Sequence, residues 1–342
     1  MAPLTNQITV IPNPAVKDTP REIPNVPDSV KNNSHIHLKF GVTGNRQLSL
    51  QVYDTTNIVH PTEYTDNKAP TGSIHEPGTL AGAVHNNIAV VYGIAGFASK
   101  DTGKASICKL SPYYNPIAKA NPASEEDQGP IQTNLWSLTA CDDGDEGNWV
   151  YFLRNQGTET DPNIVLVELE IGLQDQAVER PLDVDFTIGA KSRLTSFYEK
   201  APYVFFVHEE DDRGIYFVNA TKTKAATQIN DTMTVKESSP LAIVTNASTN
   251  TNNEVTLQLT LYFVNLNGYL AYVLGTLDNG YITWQDGHQS LANIHVDQTS
   301  SLCAISGADN KTHYIYLVPK GNPAGAYQVH RTTPWQVSPP HR

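Results

Sequence analysis

Five times along this chain a Ser or Thr opens a short apolar strand, a turn follows, and an aromatic-bearing strand comes next. The openings lie at 79–84, 137–141, 192–197, 239–244 and 301–306, and the second strands at 88–92, 149–153, 203–207, 259–264 and 313–318. A third strand follows each Gly- or Asn-bearing turn, at 105–110, 164–169, 214–218, 269–274 and 326–329. The openings recur with a drifting period of about 55 residues, which suits four-stranded propeller blades carrying loop insertions. Upstream, 37–42 followed by 49–53 reads as a further, degenerate copy. No stretch of a dozen residues has helical periodicity.

The expectation is therefore an all-β chain. It forms a single β-propeller of six blades over 36–342, with five blades the nearest alternative. Residues 1–35 carry Pro3, Pro12, Pro14, Pro20, Pro24 and Pro27 and read as an extended arm. Inside it, Thr9-Val10-Ile11 could add to a sheet edge, and the arm is free to supply an outer strand to the last blade. The small residues that open each repeat fit innermost strands, which crowd around a central channel. Most Tyr and Phe of the second strands read as core.

Composition narrows the function classes. Of 342 residues, 39% are hydrophobic and 17% charged, a balance that argues for a buried core rather than disorder. The net charge of −12 disfavours nucleic acid, which is bound through clustered Lys and Arg. No apolar stretch nears the roughly 20 residues that span a bilayer, so no membrane partner is expected. No signal segment is read at the N-terminus, and a secretory origin with a removed signal stays open. Cys108, Cys141 and Cys303 fit no zinc spacing and read as buried free thiols.

Motif matches fail in instructive ways. The run from Gly96 to Lys104 has its glycines too far apart for a phosphate loop and no Ser/Thr after the Lys. The acidic runs 208–212 and 142–148 break zincin and calcium-loop order and read as solvated hairpin tips. What remains is position. His75, His295, Trp136 and Lys191 precede inner strands, and Arg193 lies just inside one. In a propeller those connections meet at one mouth of the channel. Trp136 and Trp284 suit either core packing or ligand stacking.

The alternation of a small-residue inner strand, a Tyr-rich second strand and a third strand over 37–335 resembles the fungal fucose-lectin-like β-propellers. Those lectins read fucose with an Arg and a Glu recurring in each blade. Here the second strands centre on Val91, Tyr151, Phe205, Leu261 and Ile315, no Arg recurs, and only one third strand carries Glu, at Glu168 and Glu170. With that departure the chain looks like the propeller-type hetero-Diels–Alderases (pericyclases) of fungal tropolonic sesquiterpene biosynthesis. The resemblance implies a cycloaddition between a tropolone-type quinone methide and a humulene-type terpene alkene, without cofactor or metal. Such an enzyme needs a cleft for small apolar substrates, a polarising donor and an acid. On this reading His75 or His295 is the acid/base, Arg193 or Lys191 the oxygen-polarising cation, and Trp136 and Trp284 the apolar walls. The rivals are a carbohydrate-binding, fucose-type lectin and a metal-dependent hydrolase recruiting Asn134, Asp297 and Glu237.

Overall fold

Short apolar runs broken by turn residues can bury themselves only by pairing edge to edge and stacking face to face. A computed structural model shows how. It describes residues 4–13, 35–56, 62–65, 72–96, 105–120, 129–144, 147–208, 214–221, 225–230, 232, 235–249 and 255–335. Six sheets, each built on antiparallel neighbours in chain order, form blades 1 to 6. The remaining prolines of the N-terminal segment, most of the turn after Gly96 and the acidic tip after His208 lie outside the described residues.

The innermost strands are Leu4–Pro12, Leu80–His85, Leu138–Asp142, Thr195–Tyr198, Ala242–Thr249 and Cys303–Ser306. They surround a narrow channel of about 160 Å³ lined by such residues as Ala81, Gly82, Ala140, Ser196, Ala242 and Ala304. Crowding at the axis accounts for the small residues. Their hydroxyls also work. Ser192, Ser239 and Ser300 each accept the backbone N–H that ends their blade's second strand, from Val207, Val264 and Val318 (2.7–2.8 Å). Thr79 and Ser137 accept N–H groups of the next blade's inner strand, from Leu138 (2.7 Å) and Leu194 (3.0 Å). Backbone donors left over at the axis are thereby satisfied.

Blade 1 corrects two expectations. Leu4–Pro12 is its innermost strand, paired with Ile36–Thr43, and not an outer strand of the last blade. The copy expected to open at 37 is accordingly a second strand, buried along its whole length because it has a neighbour on each side. Among the described residues, blade 6 has three strands and blade 1 borrows none of them, so no sheet is shared across the point of closure.

The seams between blades hold the core. Five of them contain twelve or more buried apolar residues among those described. The seam between blades 6 and 1 contains three: Ile8, Val10 and Tyr316. Polar contacts take over there. Asn6 spans it, donating to Thr299 Oγ1 (2.6 Å) and accepting from Gly325 N (2.8 Å) and, at its carbonyl, from Ser301 N (2.8 Å). Arg331 donates to the Thr55 carbonyl (2.6 Å).

The second-strand tyrosines are buried, as expected, but their hydroxyls form a recurring staple to the next blade. Tyr92 takes the Asn148 amide, Tyr262 meets His313 Nδ1 (2.8 Å), and Tyr316 meets His37 Nδ1 (2.6 Å) across the closure. Burial holds His37 and His313 down to about 4. In blade 3 the equivalent Tyr151 turns instead to Glu168 of its own blade (2.7 Å), which Arg180 also binds (2.6 Å). That lone Tyr–Glu–Arg set explains why one Glu stood out in the third strands. It is a satisfied structural network.

Candidate functional site

In blades 2, 4, 5 and 6 the inner strand is entered through a short loop whose backbone is pinned to the end of the second strand of the same blade. His75 N bonds Ile94 O (2.8 Å), Lys236 N bonds Val264 O (3.1 Å) and Asp297 N bonds Val318 O (2.9 Å). These loops are held the same way relative to the axis and, with Ser300 rather than Ser301 as blade 6's structural counterpart of the opening hydroxyl, the residue just before each opening Ser or Thr comes to one mouth of the channel. Those residues are Gly78, Trp136, Lys191, Ser238 and Thr299, and all five line a single cavity of about 490 Å³. Asn6 and Gln7 complete the lining from blade 1.

Two expected residues stand in that lining beside Trp136: Lys191 at the rim and Arg193 at the bottom. Lys191 is exposed and reaches Glu237 at 3.7 Å, a loose pair in water. Arg193 borders both the mouth and the channel beneath it. Its guanidinium has no hydrogen-bond or ion-pair partner among the described residues, and burial pushes its pKa down. Glu76 lines the same cavity without pairing with Arg193.

His75 is one layer back. Its ring stacks on the Trp136 indole, centroids 4.0 Å apart and planes 20° apart, and its Nδ1 is buried without a partner. Burial, and secondarily the Arg46 charge, lowers its pKa. The stack fixes the indole at the cavity wall.

The other expectations are placed elsewhere. Trp284 is on an outer strand of blade 5, Tyr281–Trp284, where it packs edge-on against Phe205 (6.1 Å) in the seam with blade 4. It therefore forms no wall of the mouth. The expected ambiguity between core and stacking resolves to core because the outer strand lies across Gly275, whose missing side chain makes room for the indole. His295 ends another strand of blade 5, one residue before the entry loop. It stacks on Tyr269 (4.8 Å) outside the cavity lining. The donors of the metal-hydrolase reading are engaged in local structure. Asn134 brackets Asn155 (2.9 and 3.0 Å), Asp297 caps Thr299 N (2.9 Å), and Glu237 faces Lys191. No group of three His, Cys, Asp or Glu side chains suited to a metal occurs among the described residues.

All three cysteines are free thiols. Burial pushes Cys108 and Cys303 up to about 12 and Cys141 higher still, the opposite of what a nucleophile needs. Sequence reasoning missed Gln298, Thr299 and Ser238 as lining residues. The entry-loop register that located Trp136 and Lys191 locates Ser238 too; in blade 6 the expected opening at Ser301 lies one residue past its structural counterpart Ser300, so Gln298 and Thr299 fall outside that register.

No protein-family model matches the chain. A wall-associated proteinase of Coccidioides immitis is 29% identical over 290 residues, covering 84% of this chain and 88% of that protein. Among solved structures, a fungal lectin of Aleuria aurantia, described as a six-bladed β-propeller with a novel fucose recognition mode, matches with TM-score 0.58 at 8% identity, over 97% of this chain and 93% of that one. AofleA from Arthrobotrys oligospora matches with TM-score 0.59 at 9% identity, over 97% and 87%. At such identities the likeness is one of fold: the chain has the six-bladed architecture of fungal fucose-lectin-like propellers.

Proposed function

We propose that this protein is a carbohydrate-binding propeller whose binding site is the axial mouth rather than a set of per-blade pockets. One observation carries the reading. An indole stacked on His75 stands in a cavity of about 490 Å³ that also presents the hydrogen-bonding side chains of Gln298, Thr299, Ser238 and Asn6. An aromatic face for the apolar side of a sugar ring, ringed by hydroxyl and amide groups, is the chemistry a saccharide needs, and the volume suits a small one. The fucose recognition of the Aleuria lectin and the wall association in the name of the Coccidioides relatives agree with a glycan ligand.

The cycloaddition implied by the pericyclase resemblance would use the same cavity but asks for apolar walls around two reactants. Among the described residues Trp136 is the one aromatic side chain in the lining, and Trp284 belongs to a seam. That weighs toward a saccharide. A glycan array that includes fucosides and fungal wall oligosaccharides, followed by calorimetry, tests the proposal. The expected result is one site per chain, with binding lost in Trp136→Ala while the fold is retained. A silent array, or unchanged binding by Trp136→Ala, overturns it.

A further inference from the structure

We infer that the ligand of the mouth carries a carboxylate, an acidic saccharide whose anionic group pairs with Arg193; this rests on the carbohydrate reading and deepens it. Among the described residues of the entry loops and strand openings, Arg193 alone borders both the mouth cavity and the channel and bears a permanent charge. A guanidinium presents five donors in a planar fork, and a part-buried one is ordinarily met by a carboxylate or by carbonyls. Elsewhere in this chain that rule holds. Arg180 binds Glu168, Arg154 binds Glu179, and Arg331 binds the Thr55 carbonyl. At Arg193 none of these is present among the described residues, although Glu76 and Lys191 line the same mouth.

Geometry shows why the protein does not fill this need itself. The channel that Arg193 also borders is lined by small apolar side chains such as Ala81, Ala140 and Ala242 and by hydroxyls, and no carboxylate stands among its described lining residues. Lys191 adds a second positive charge at the rim, and its contact with Glu237 is long enough to be exchanged for a ligand oxygen. A ligand seated against Trp136 can therefore place a planar carboxylate on the Arg193 fork from above. Neutral sugars would leave the guanidinium to water.

The test compares a glucuronide with its methyl ester, alongside the neutral glucoside, by calorimetry at low salt. The acid is expected to bind about tenfold more tightly than the ester, the gain typical of a charge-assisted pair. Arg193→Gln should erase that difference between acid and ester, and Trp136→Ala should abolish binding of all three. Thermal unfolding of Arg193→Gln, and the parallel variant Arg193→Lys, confirm a folded protein and distinguish charge from fork geometry. Equal binding of acid and ester, with the glucoside still bound, overturns the Arg193 inference and leaves the carbohydrate reading standing. Failure of every saccharide, on the array and here, overturns the carbohydrate reading and this inference with it.

Discussion

Acid should open this ring next to blade 6. His37 staples blade 6 to blade 1 through Tyr316, and His313 staples blade 5 to blade 6 through Tyr262. Both imidazoles are buried and their folded pKa values lie at about 4, below the 6.5 of an unfolded chain. Between those values the unfolded chain holds more protons than the native one, so stability falls as pH falls. The full gap is worth about 3 kcal/mol per histidine, and at pH 4.5 about 2.5 kcal/mol of it is already lost. Two such sites amount to about 5 kcal/mol, a large share of the 5–15 kcal/mol typical of a folded protein. Urea unfolding at pH 7.5 and 4.5 measures it. The double variant His37→Asn/His313→Asn supplies the control, because Asn148 already occupies the corresponding place against Tyr92. The wild type should lose about 5 kcal/mol more than the double variant over that interval. Equal losses would refute the assignment of acid sensitivity to these two staples.

Two further outcomes test the frame and the site boundaries. Asn6→Ala removes the side-chain contacts to Thr299 and Gly325 at the one seam with few buried apolar residues, and should lower stability by about 1–3 kcal/mol in denaturant melts. Trp284→Ala should cost about 3–5 kcal/mol by emptying the blade 4–5 seam, yet leave saccharide affinity unchanged in calorimetry, the reverse of Trp136→Ala.

Blades 2 to 6 were legible because their strands follow one another across short turns, so the period of the small-residue openings survives loop insertions. Blade 1 was not. Its inner strand, Leu4–Pro12, pairs with Ile36–Thr43 across the whole segment 13–35. No hairpin spacing links the two, and the proline density made that stretch read as an arm. The mouth was legible for the same reason as the blades: Trp136 and Lys191 sit one residue before a hydroxyl opening, and Arg193 one residue after. Trp284 and His295 were misplaced because blade 5 carries two further strands beyond its third, and nothing in the period tells an outer strand from an entry loop. The polar staples were invisible because Asn148, His313 and His37 acquire their meaning only from a tyrosine in the preceding blade.

The absence of a repeated Arg/Glu pair has a geometric explanation once the cavity is on the axis. A site between neighbouring blades is copied wherever the repeat is copied, so a multivalent binder shows its ligand residues at every period. A site on the pseudo-sixfold axis exists once, however many blades surround it, and each entry loop supplies a different part of it. In this chain the positions that build the frame do recur: the hydroxyls of Thr79, Ser137, Ser192, Ser239 and Ser300 all accept backbone or close turns at the axis. The positions directly before them are Gly78, Trp136, Lys191, Ser238 and Thr299, five different side chains facing one cavity. Repetition of the frame with divergence at the adjacent residue is the pattern the proposed single axial ligand requires. A search for periodic ligand residues is therefore blind to an axial site by construction, and the non-repeating residue beside a repeating serine is the signal to look for instead.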